Sequence, residues 1–331
     1  MTRAGAGSGR LPLHPRPLPH EALSSWLDRL AAAYGLKRDR FIRSALGADP
    51  APCVAELDAG GSLPSLSAAL AERTGVPPGR IRVMTFAGYV PELIAQAQLG
   101  SGMFGAYIGP FRWFVAQGRT NGPYPEPAGP WTPWRADDLL SDMPRCCPRC
   151  LVADAIPYVR LHWRLAWMAS CPLHGETLVP LPSPFWMVQC MRERSPDRAA
   201  PDLLALDRIT LGAATTGTAI LPRGGSQVPG GAWLRALRAL RDELAQPFVW
   251  PAHPWRDELT RAWLRTGRMP VMRHCGREAT FERLPPERRS ALLQVAGAAV
   301  RHQAVHPARG GEGTRLRASV TQWSADGFCG A

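Results

Sequence analysis

The chain has almost no lysine and no long apolar run. Lys37 is its only lysine, so the 39 basic residues, set against 27 acidic ones, are nearly all arginine. A run of about 18 consecutive apolar residues, the least that makes a membrane-spanning helix, occurs nowhere. Residues 1–19 also lack the apolar core of a signal peptide. We therefore expect a cytoplasmic protein with no membrane partner.

Familiar catalytic motifs are missing as well. The sequence contains no P-loop, no G-x-G-x-x-G opening a helix, no G-x-S-x-G and no H-E-x-x-H. These motifs would indicate phosphate transfer, dinucleotide chemistry, serine hydrolysis and zinc proteolysis, respectively. Their absence favours a binding protein over an enzyme.

The positive charge itself has two explanations. The net charge is +12, and arginine forks suit phosphate groups and base edges, which favours a nucleic-acid partner. Alanine, glycine, proline and arginine are abundant together, however, as in proteins from a GC-rich genome. Composition alone does not separate these two explanations.

Two short motifs, Cys147-Pro148-Arg149-Cys150 and Cys171-Pro172-Leu173-His174, lie in the middle of the chain. Together they offer three thiolates and one imidazole, and a C-x2-C pair followed some 15–20 residues later by a second x2 pair is typical of a zinc site. Four protein ligands close the coordination shell, so we predict a structural Zn2+ with no place for a reactive water. The predicted ligands are Cys147, Cys150, Cys171 and His174.

The cysteines allow other interpretations. Cys146 could replace Cys147, although the shared Cys-Pro-x-ligand pattern favours Cys147. His174-Gly175-Glu176 and the C-x2-C pair also occur in zinc deaminases, but here their order is reversed and Cys171 fills the water position. A redox dithiol is a further alternative. The remaining cysteines are irregularly spaced, unlike a secreted disulfide framework: Cys53, Cys190, Cys275 and Cys329.

Aromatic and cationic residues alternate between the two motifs. Tyr158, Arg160, Trp163 and Arg164 could stack on bases or hold phosphates. The competing interpretation is that the two aromatic side chains pack over the metal, because a small zinc module has little other core. Arg160 and Arg164 are then the freer candidates for contact with nucleic acid or a partner.

Apolar periodicity predicts two helical pairs in the N-terminal third. The first runs from Leu23 past Gly35, and Arg38 and Arg40 open its second helix. The second spans Leu66 to Met84 with a break at Gly75, in the manner of a helix-turn-helix that carries Arg80 and Arg82 on its second helix. We predict these four arginines to contact nucleic acid or a partner. Packed helical hairpins with solvated arginines are the alternative.

The predicted fold class is mainly α. It comprises a helix-turn-helix-like N-terminal domain, a small central zinc-ribbon or zinc-finger module and a helical C-terminal region. Helices are expected around Trp233 to Leu244, around Trp263 and over residues 286–303. The predicted divisions are a flexible arm (1–19), the helical domain (20–135), the zinc module (136–182), the C-terminal region (183–306) and a disordered tail (307–331).

Two segments resemble the TniQ family, the target-selection components of bacterial transposons, which are related to TnsD. The first has Arg16-Pro17-Leu18-Pro19, Leu23-Ser24-Ser25-Trp26-Leu27 and Gly35-Leu36. The second has Cys147-Pro148, Cys150-Leu151, Tyr158, Arg160, Trp163, Cys171-Pro172 and His174-Gly175. Together they span about half of the chain.

The resemblance implies a non-catalytic adaptor in transposition and DNA recombination. Such an adaptor links a chosen DNA target to an AAA+ ATPase of the TniB/TnsC type and, indirectly, to the DDE transposase. In CRISPR-associated transposons, relatives bind an RNA-guided effector instead. Longer relatives carry a second zinc ribbon, but His274-Cys275 and Cys190 do not complete another ligand set here. The alternative function is a stand-alone zinc-containing helix-turn-helix transcriptional regulator.

Overall fold

Helices predominate in this computed structural model, as the sequence predicted. It describes residues 9–52, 54–59, 64–89, 145–165, 167–180, 197–222, 225–230, 256–268 and 286–303, with positions 233, 234, 237, 240 and 244. The α-helices with defined bounds are Leu23–Ala33 (α1), Arg38–Leu46 (α2), Val54–Ala59 (α3), Pro64–Thr74 (α4), Pro78–Arg82 (α5), Pro148–Ala153 (α6), Pro201–Thr216 (α7), Arg256–Arg265 (α8) and Pro286–Gln303 (α9). The antiparallel strand pairs are Arg145–Cys146 (β1) with Val179–Pro180 (β2) and Thr218–Ile220 (β3) with Gln227–Pro229 (β4).

Helices α1 and α2 form the first predicted pair. Gly35 separates them with a φ of 63°, a left-handed conformation that glycine adopts without steric cost. Trp26 on α1 and Phe41 on α2 are fully buried in a shared core. The spacing of apolar residues therefore located both helices and the turn between them.

The second predicted pair is α4 with α5, joined through Gly75, whose φ is 71°. Helix α5 is only five residues long, because the chain turns again after Arg82 into a short 3-10 helix, Phe86–Gly88. Ile81 is the residue of α5 that enters the core. The pair has helix-turn-helix order, but its second helix is a little over one turn.

Helix α3 lies in a Pro/Gly/Ser-rich stretch for which no helix was predicted. It places Leu57 in the N-terminal core and leaves the side chain of Asp58 with no solvent exposure. The Asp58 carboxylate accepts hydrogen bonds from the Ser24 amide at 2.8 Å and the Ser24 hydroxyl at 2.9 Å. A buried acid thus fixes α3 against the start of α1.

Residues 9–19 are held against this core, in contrast to the flexible arm that was expected. The Leu11 side chain is buried, and its amide donates to the Arg73 carbonyl at 2.7 Å. The Trp26 indole donates to the Pro15 carbonyl at 2.8 Å. Backbone groups of the arm thereby find partners on α1 and α4, which composition alone could not show.

The C-terminal region has a helical core and one β-hairpin that was not predicted. Helices α7 and α9 pack together, and α9 has the bounds that the sequence suggested. Helix α7 was missed, although Leu203, Leu206 and Ala213 give it a buried face. Side chains predicted to be apolar anchors also lie in this core: Trp233, Leu237, Leu240, Leu244 and Trp263.

None of the helices in the described ranges is long and apolar enough to span a bilayer. Several expectations fall outside those ranges: the tail at 307–331, Cys53, Cys190, His274-Cys275 and Cys329.

Candidate metal centre

Four side chains from two distant turns converge at the centre of the described chain. Their ligand atoms, the sulfurs of Cys147, Cys150 and Cys171 and a ring nitrogen of His174, all lie within 4.8 Å of one another. The three cysteines are buried and His174 is half-buried. These residues can hold a metal ion, as their spacing predicted.

The distances agree with one tetrahedral site. The Nδ1 atom of His174 lies 3.4 Å from the Cys147 sulfur and 3.3 Å from the Cys150 sulfur, while the Cys150 and Cys171 sulfurs are 3.7 Å apart. For a tetrahedron with metal–sulfur bonds of about 2.3 Å and a metal–nitrogen bond of about 2.0 Å, the edges are about 3.8 Å and 3.5 Å. A small cation would fit among these atoms with little rearrangement.

Pro148 and helix α6 direct the first two sulfurs. Cys147 is the extended N-cap residue and Pro148 occupies the first helical position, where its missing N–H costs nothing. Cys150 follows three residues after Cys147, so both side chains lie on one side of the first turn. The Cys-Pro-x-Cys sequence therefore determines the geometry of this half of the site.

A tight hairpin directs the other two ligands. Ser170 pairs with Thr177, and the Cys171 amide donates to the Glu176 carbonyl at 2.7 Å. Gly175 closes the loop with a φ of 68°, which favours glycine directly after His174. Cys171 and His174 consequently face the same point as the first pair.

Cys146 is excluded from the cluster by its place in the sheet. It is fully buried in β1, opposite Val179, whereas the next residue, Cys147, contributes its sulfur to the site. Side chains of successive residues in a strand point to opposite faces, so both neighbours cannot reach one ion. The structure thus supports the preference for Cys147.

Trp163 forms the apolar wall of the site. It is fully buried in a cluster with Cys147, Cys150 and Cys171. Tyr158 is also buried, and the Arg160 guanidinium lies 4.4 Å from the centre of its ring. The packing interpretation of Trp163 is confirmed.

Glu176 is a neighbour of the site that no sequence pattern indicated. Its buried carboxylate forms an ion pair with Arg149, which lies between the first two ligands. One of its oxygens is 4.0 Å from the Cys147 sulfur. The Arg149–Glu176 pair therefore links the two halves of the centre through side chains as well as through the metal ligands. Glu176 lies outside both cysteine motifs and Arg149 is at a variable position of the first, so the motifs did not predict this pair.

Without a cation, the other two sulfurs oppose the ionisation of the Cys150 thiol. Contacts with the Cys147 and Cys171 sulfurs, and then burial, raise the pKa of the Cys150 thiol. A divalent ion reverses this balance, because it favours thiolates directly. The chemistry of the donor set thus suits a bound cation better than three free thiols.

The module is bonded to the N-terminal helices along a continuous seam. The Ala22 amide donates to the Val159 carbonyl at 2.9 Å, and the Val159 amide donates to the Ser25 hydroxyl at 3.0 Å. Arg164 forms an ion pair with Asp58 across this seam at 2.7 Å. The metal module and helices α1 and α3 therefore share buried polar contacts.

The module is also bonded to the C-terminal helices. The carboxylate of Asp207, on α7, accepts the amides of Ala169 at 3.1 Å and Ser170 at 2.6 Å. The Ala199 amide donates to the Gly175 carbonyl at 2.9 Å. Because Ser170 precedes the ligand Cys171, α7 is fixed directly against the metal hairpin.

Arg160 and Arg164, predicted as free contacts, are both occupied in ion pairs. Arg160 is bidentate on Asp154 at 2.8 and 3.0 Å, and the Arg164 side chain is only 9% exposed beside Asp58. The other four predicted arginines lie on the N-terminal helices. Arg38 pairs with Asp28 at 3.1 Å, whereas the remaining three are exposed: Arg40, Arg80 and Arg82. Nucleic-acid or partner contact by these six residues stays a prediction.

A comparison with protein-family models matches residues 12–178 to TniQ. The chain belongs to the TniQ family. The TniQ match covers half of the chain and includes α1 to α6 and all four ligand residues. Comparison with curated proteins and with solved structures gave no match. Membership in TniQ supports a transposition-associated adaptor in general.

Proposed function

We propose that this chain is a non-catalytic transposition adaptor that selects or marks a DNA target and recruits an AAA+ ATPase of the TniB/TnsC type. The ATPase would in turn recruit the DDE transposase. The observation that carries the proposal is the TniQ match, which extends without interruption from the N-terminal helices through the metal ligands. In the RNA-guided form of this proposal, an effector would recognise the DNA target and the adaptor would bind that effector.

The metal of the adaptor is proposed to be Zn2+. Three thiolates with one imidazole are a preferred zinc donor set, and the atom separations suit a tetrahedron. Four protein ligands leave no open position for an activated water. When bound, the ion would cross-link the turn that carries Cys147 and Cys150 to the turn that carries Cys171 and His174. The residues of the module position partners and perform no chemistry.

DNA and the ATPase are proposed to contact the adaptor on its N-terminal helices, α2 and α5. Arg40, Arg80 and Arg82 are exposed there, and arginine pairs well with phosphate. Arg38, Arg160 and Arg164 are already paired with acids, so they are expected to contribute less. The short helix α5 offers little length for reading a groove alone, which supports recruitment over independent recognition.

A mobility-shift experiment with and without the ATPase tests the proposal. The adaptor should bind duplex DNA weakly alone, and the ATPase should increase its affinity for a target. The stand-alone regulator instead predicts tight binding to one short duplex without help. Sequence-specific binding by the pure protein, unaffected by the ATPase, would contradict the adaptor function.

A further inference from the structure

His20 occupies a backbone position that normally selects glycine. The Glu21 amide donates to the Leu18 carbonyl at 3.3 Å, so residues 18–21 form a β-turn, with Pro19 at its second position. His20, at the third position, has a φ of 57°, the only positive value outside glycine among the described residues. Type II turns place glycine or asparagine there because a larger side chain is strained. Such strain is often kept at functional sites.

The turn lies at the junction of the helical domain and the metal module. The His20 carbonyl accepts a hydrogen bond from the Leu161 amide at 2.8 Å, and Glu21 pairs with Arg160 in an antiparallel bridge. The exposed imidazole of His20 lies edge-on to buried His162, with 6.1 Å between the ring centres. The ring thus has a fixed position at the surface of the seam.

Cationic groups from two other segments flank this imidazole. Arg80, on α5, reaches back so that its guanidinium lies 3.4 Å from the Leu18 carbonyl, within the same turn. Arg160 comes from the metal module and stacks on Tyr158. Burial and then the charges of Arg160 and Arg80 lower the pKa of His20. His20 therefore sits in a positive field.

The acids beside this site are already engaged. Glu21 has no exposed side-chain surface, and Arg29 donates to its two carboxylate oxygens at 2.8 and 2.7 Å. Asp154 is held by both terminal nitrogens of Arg160. Within the described ranges, the exposed guanidinium of Arg80 contacts the Leu18 carbonyl and no acid, so it can still bind an anion.

We propose that His20 and Arg80 bind one phosphate of a nucleic-acid backbone at the junction of the two domains, where the charge of Arg160 adds to the positive field. This inference rests on the proposed function, because it specifies where the adaptor contacts its nucleic acid. Imidazole N–H and guanidinium groups form charge-assisted hydrogen bonds with phosphate. Both donors would come from the helical domain, whereas the metal module would add the positive charge of Arg160, so that binding depends on the correct docking of the two.

The turn allows an informative variant. His20→Gly removes the imidazole but suits the positive φ, so the fold should be retained. Arg80→Ala removes the second donor. Arg208→Ala is the matched control, since it deletes an exposed arginine on α7 that is not one of the groups acting on His20. All variants are made in the full chain with its metal.

Binding of a labelled duplex is measured as a function of salt, with the ATPase present. One lost phosphate contact should lower the magnitude of the slope of log K against log[salt] by about 0.9. His20→Gly with Arg80→Ala should lose that amount and not twice as much, because both side chains share one phosphate. Arg208→Ala should leave the slope unchanged. Equal slopes in the wild-type chain and the double variant would overturn the proposal.

Inorganic phosphate provides a second readout. Its addition should raise the pKa of the His20 imidazole, followed by NMR, in the wild-type chain but not in Arg80→Ala. A response to phosphate with no change in duplex binding would identify a small-anion site and refute the nucleic-acid assignment. If the wild-type chain binds no duplex even with the ATPase, the proposed function fails, and the phosphate titration still decides whether the anion site exists.

Discussion

The Arg164 guanidinium lies 2.7 Å from the Asp58 carboxylate, and both side chains are almost completely removed from solvent. Burial raises the pKa of Asp58, and the charge of Arg164 opposes that rise. The arginine belongs to the metal module and the aspartate to α3. This buried pair therefore adds a charge contact to the hydrogen bonds that dock the two structural units.

Removing one partner of this pair should be costly. Arg164→Met leaves Asp58 buried without its counter-ion, and we expect a loss of about 3–5 kcal/mol in the free energy of unfolding. The measurement is chemical denaturation of the metal-loaded chain. Adding Asp58→Asn to this variant should recover part of the loss, because no uncompensated carboxylate remains.

The pair Arg38–Asp28, which is more exposed than Arg164–Asp58, serves as the control for that experiment. Asp28 is 49% exposed, and such pairs contribute roughly 0–1 kcal/mol. Arg38→Met should consequently have little effect. Equal losses of unfolding free energy for Arg164→Met and Arg38→Met would contradict the buried position of the Arg164–Asp58 pair.

Metal binding should depend on Cys150 and not on Cys146. Cys150→Ser removes a ligand, and binding of structural zinc is worth on the order of 10 kcal/mol in small modules. We expect loss of metal, measured by elemental analysis, and loss of the central module's thermal transition. Cys146→Ser, a change of the same chemistry outside the cluster, should retain a full equivalent of metal. The ligand assignment would be refuted by equal metal contents.

Leu11 and Leu13 give a direct test of the ordered arm. Leu11 is 6% exposed in the N-terminal core, whereas Leu13 is 53% exposed. Leu11→Ala should lower the free energy of unfolding by about 2–5 kcal/mol, as for other core leucines. Leu13→Ala should change it by less than about 0.5 kcal/mol. A flexible arm would make both substitutions silent.

His162 should make the protein sensitive to acid. Burial lowers the pKa of this imidazole to about 3, whereas an exposed histidine in the unfolded chain titrates near 6.5. Between these values the unfolded chain binds one more proton, so stability rises with pH and is lost as pH falls below about 6.5. The slope from this group is about 1.4 kcal/mol per pH unit.

The check compares the wild-type chain with His162→Phe, which keeps an aromatic ring but cannot take a proton. When the pH falls from about 7.5 to about 5.5, the wild-type chain should lose more free energy of unfolding than the variant. This interval brackets the ordinary pKa of histidine, about 6.5. A pH-independent difference for His162→Phe would contradict its burial as a neutral ring.

Local patterns in the sequence were sufficient for several features. Apolar spacing and a glycine predicted α1 and α2, and the bounds of α9 agree with the structure. The four ligands were predicted because each pair is set by a tight turn of four residues. These features share one property: each is determined by interactions between residues that are close in sequence.

Features that depend on distant partners were missed. Asp58 lies in a Pro/Gly/Ser-rich stretch, and its importance arises only from Arg164, far along the chain. Asp207 likewise acquires its role from the amides of Ala169 and Ser170. The arm was predicted to be flexible from its glycine and proline content, yet tertiary hydrogen bonds hold residues 9–19. Composition carries no information about such partners.

The pairing of β1 with β2 has a consequence for how this protein can vary in sequence. Arg145 is opposite Pro180 and Cys146 is opposite Val179, so the polypeptide enters and leaves the metal module at adjacent points. A module whose two ends are neighbours can be inserted into another chain as a unit. Lengthening or shortening the chain on either side leaves the spacing of the metal ligands unchanged. Grafting residues 145–180 into an unrelated host loop should therefore preserve the ligand cage, even though its docking surfaces would lose their neighbours.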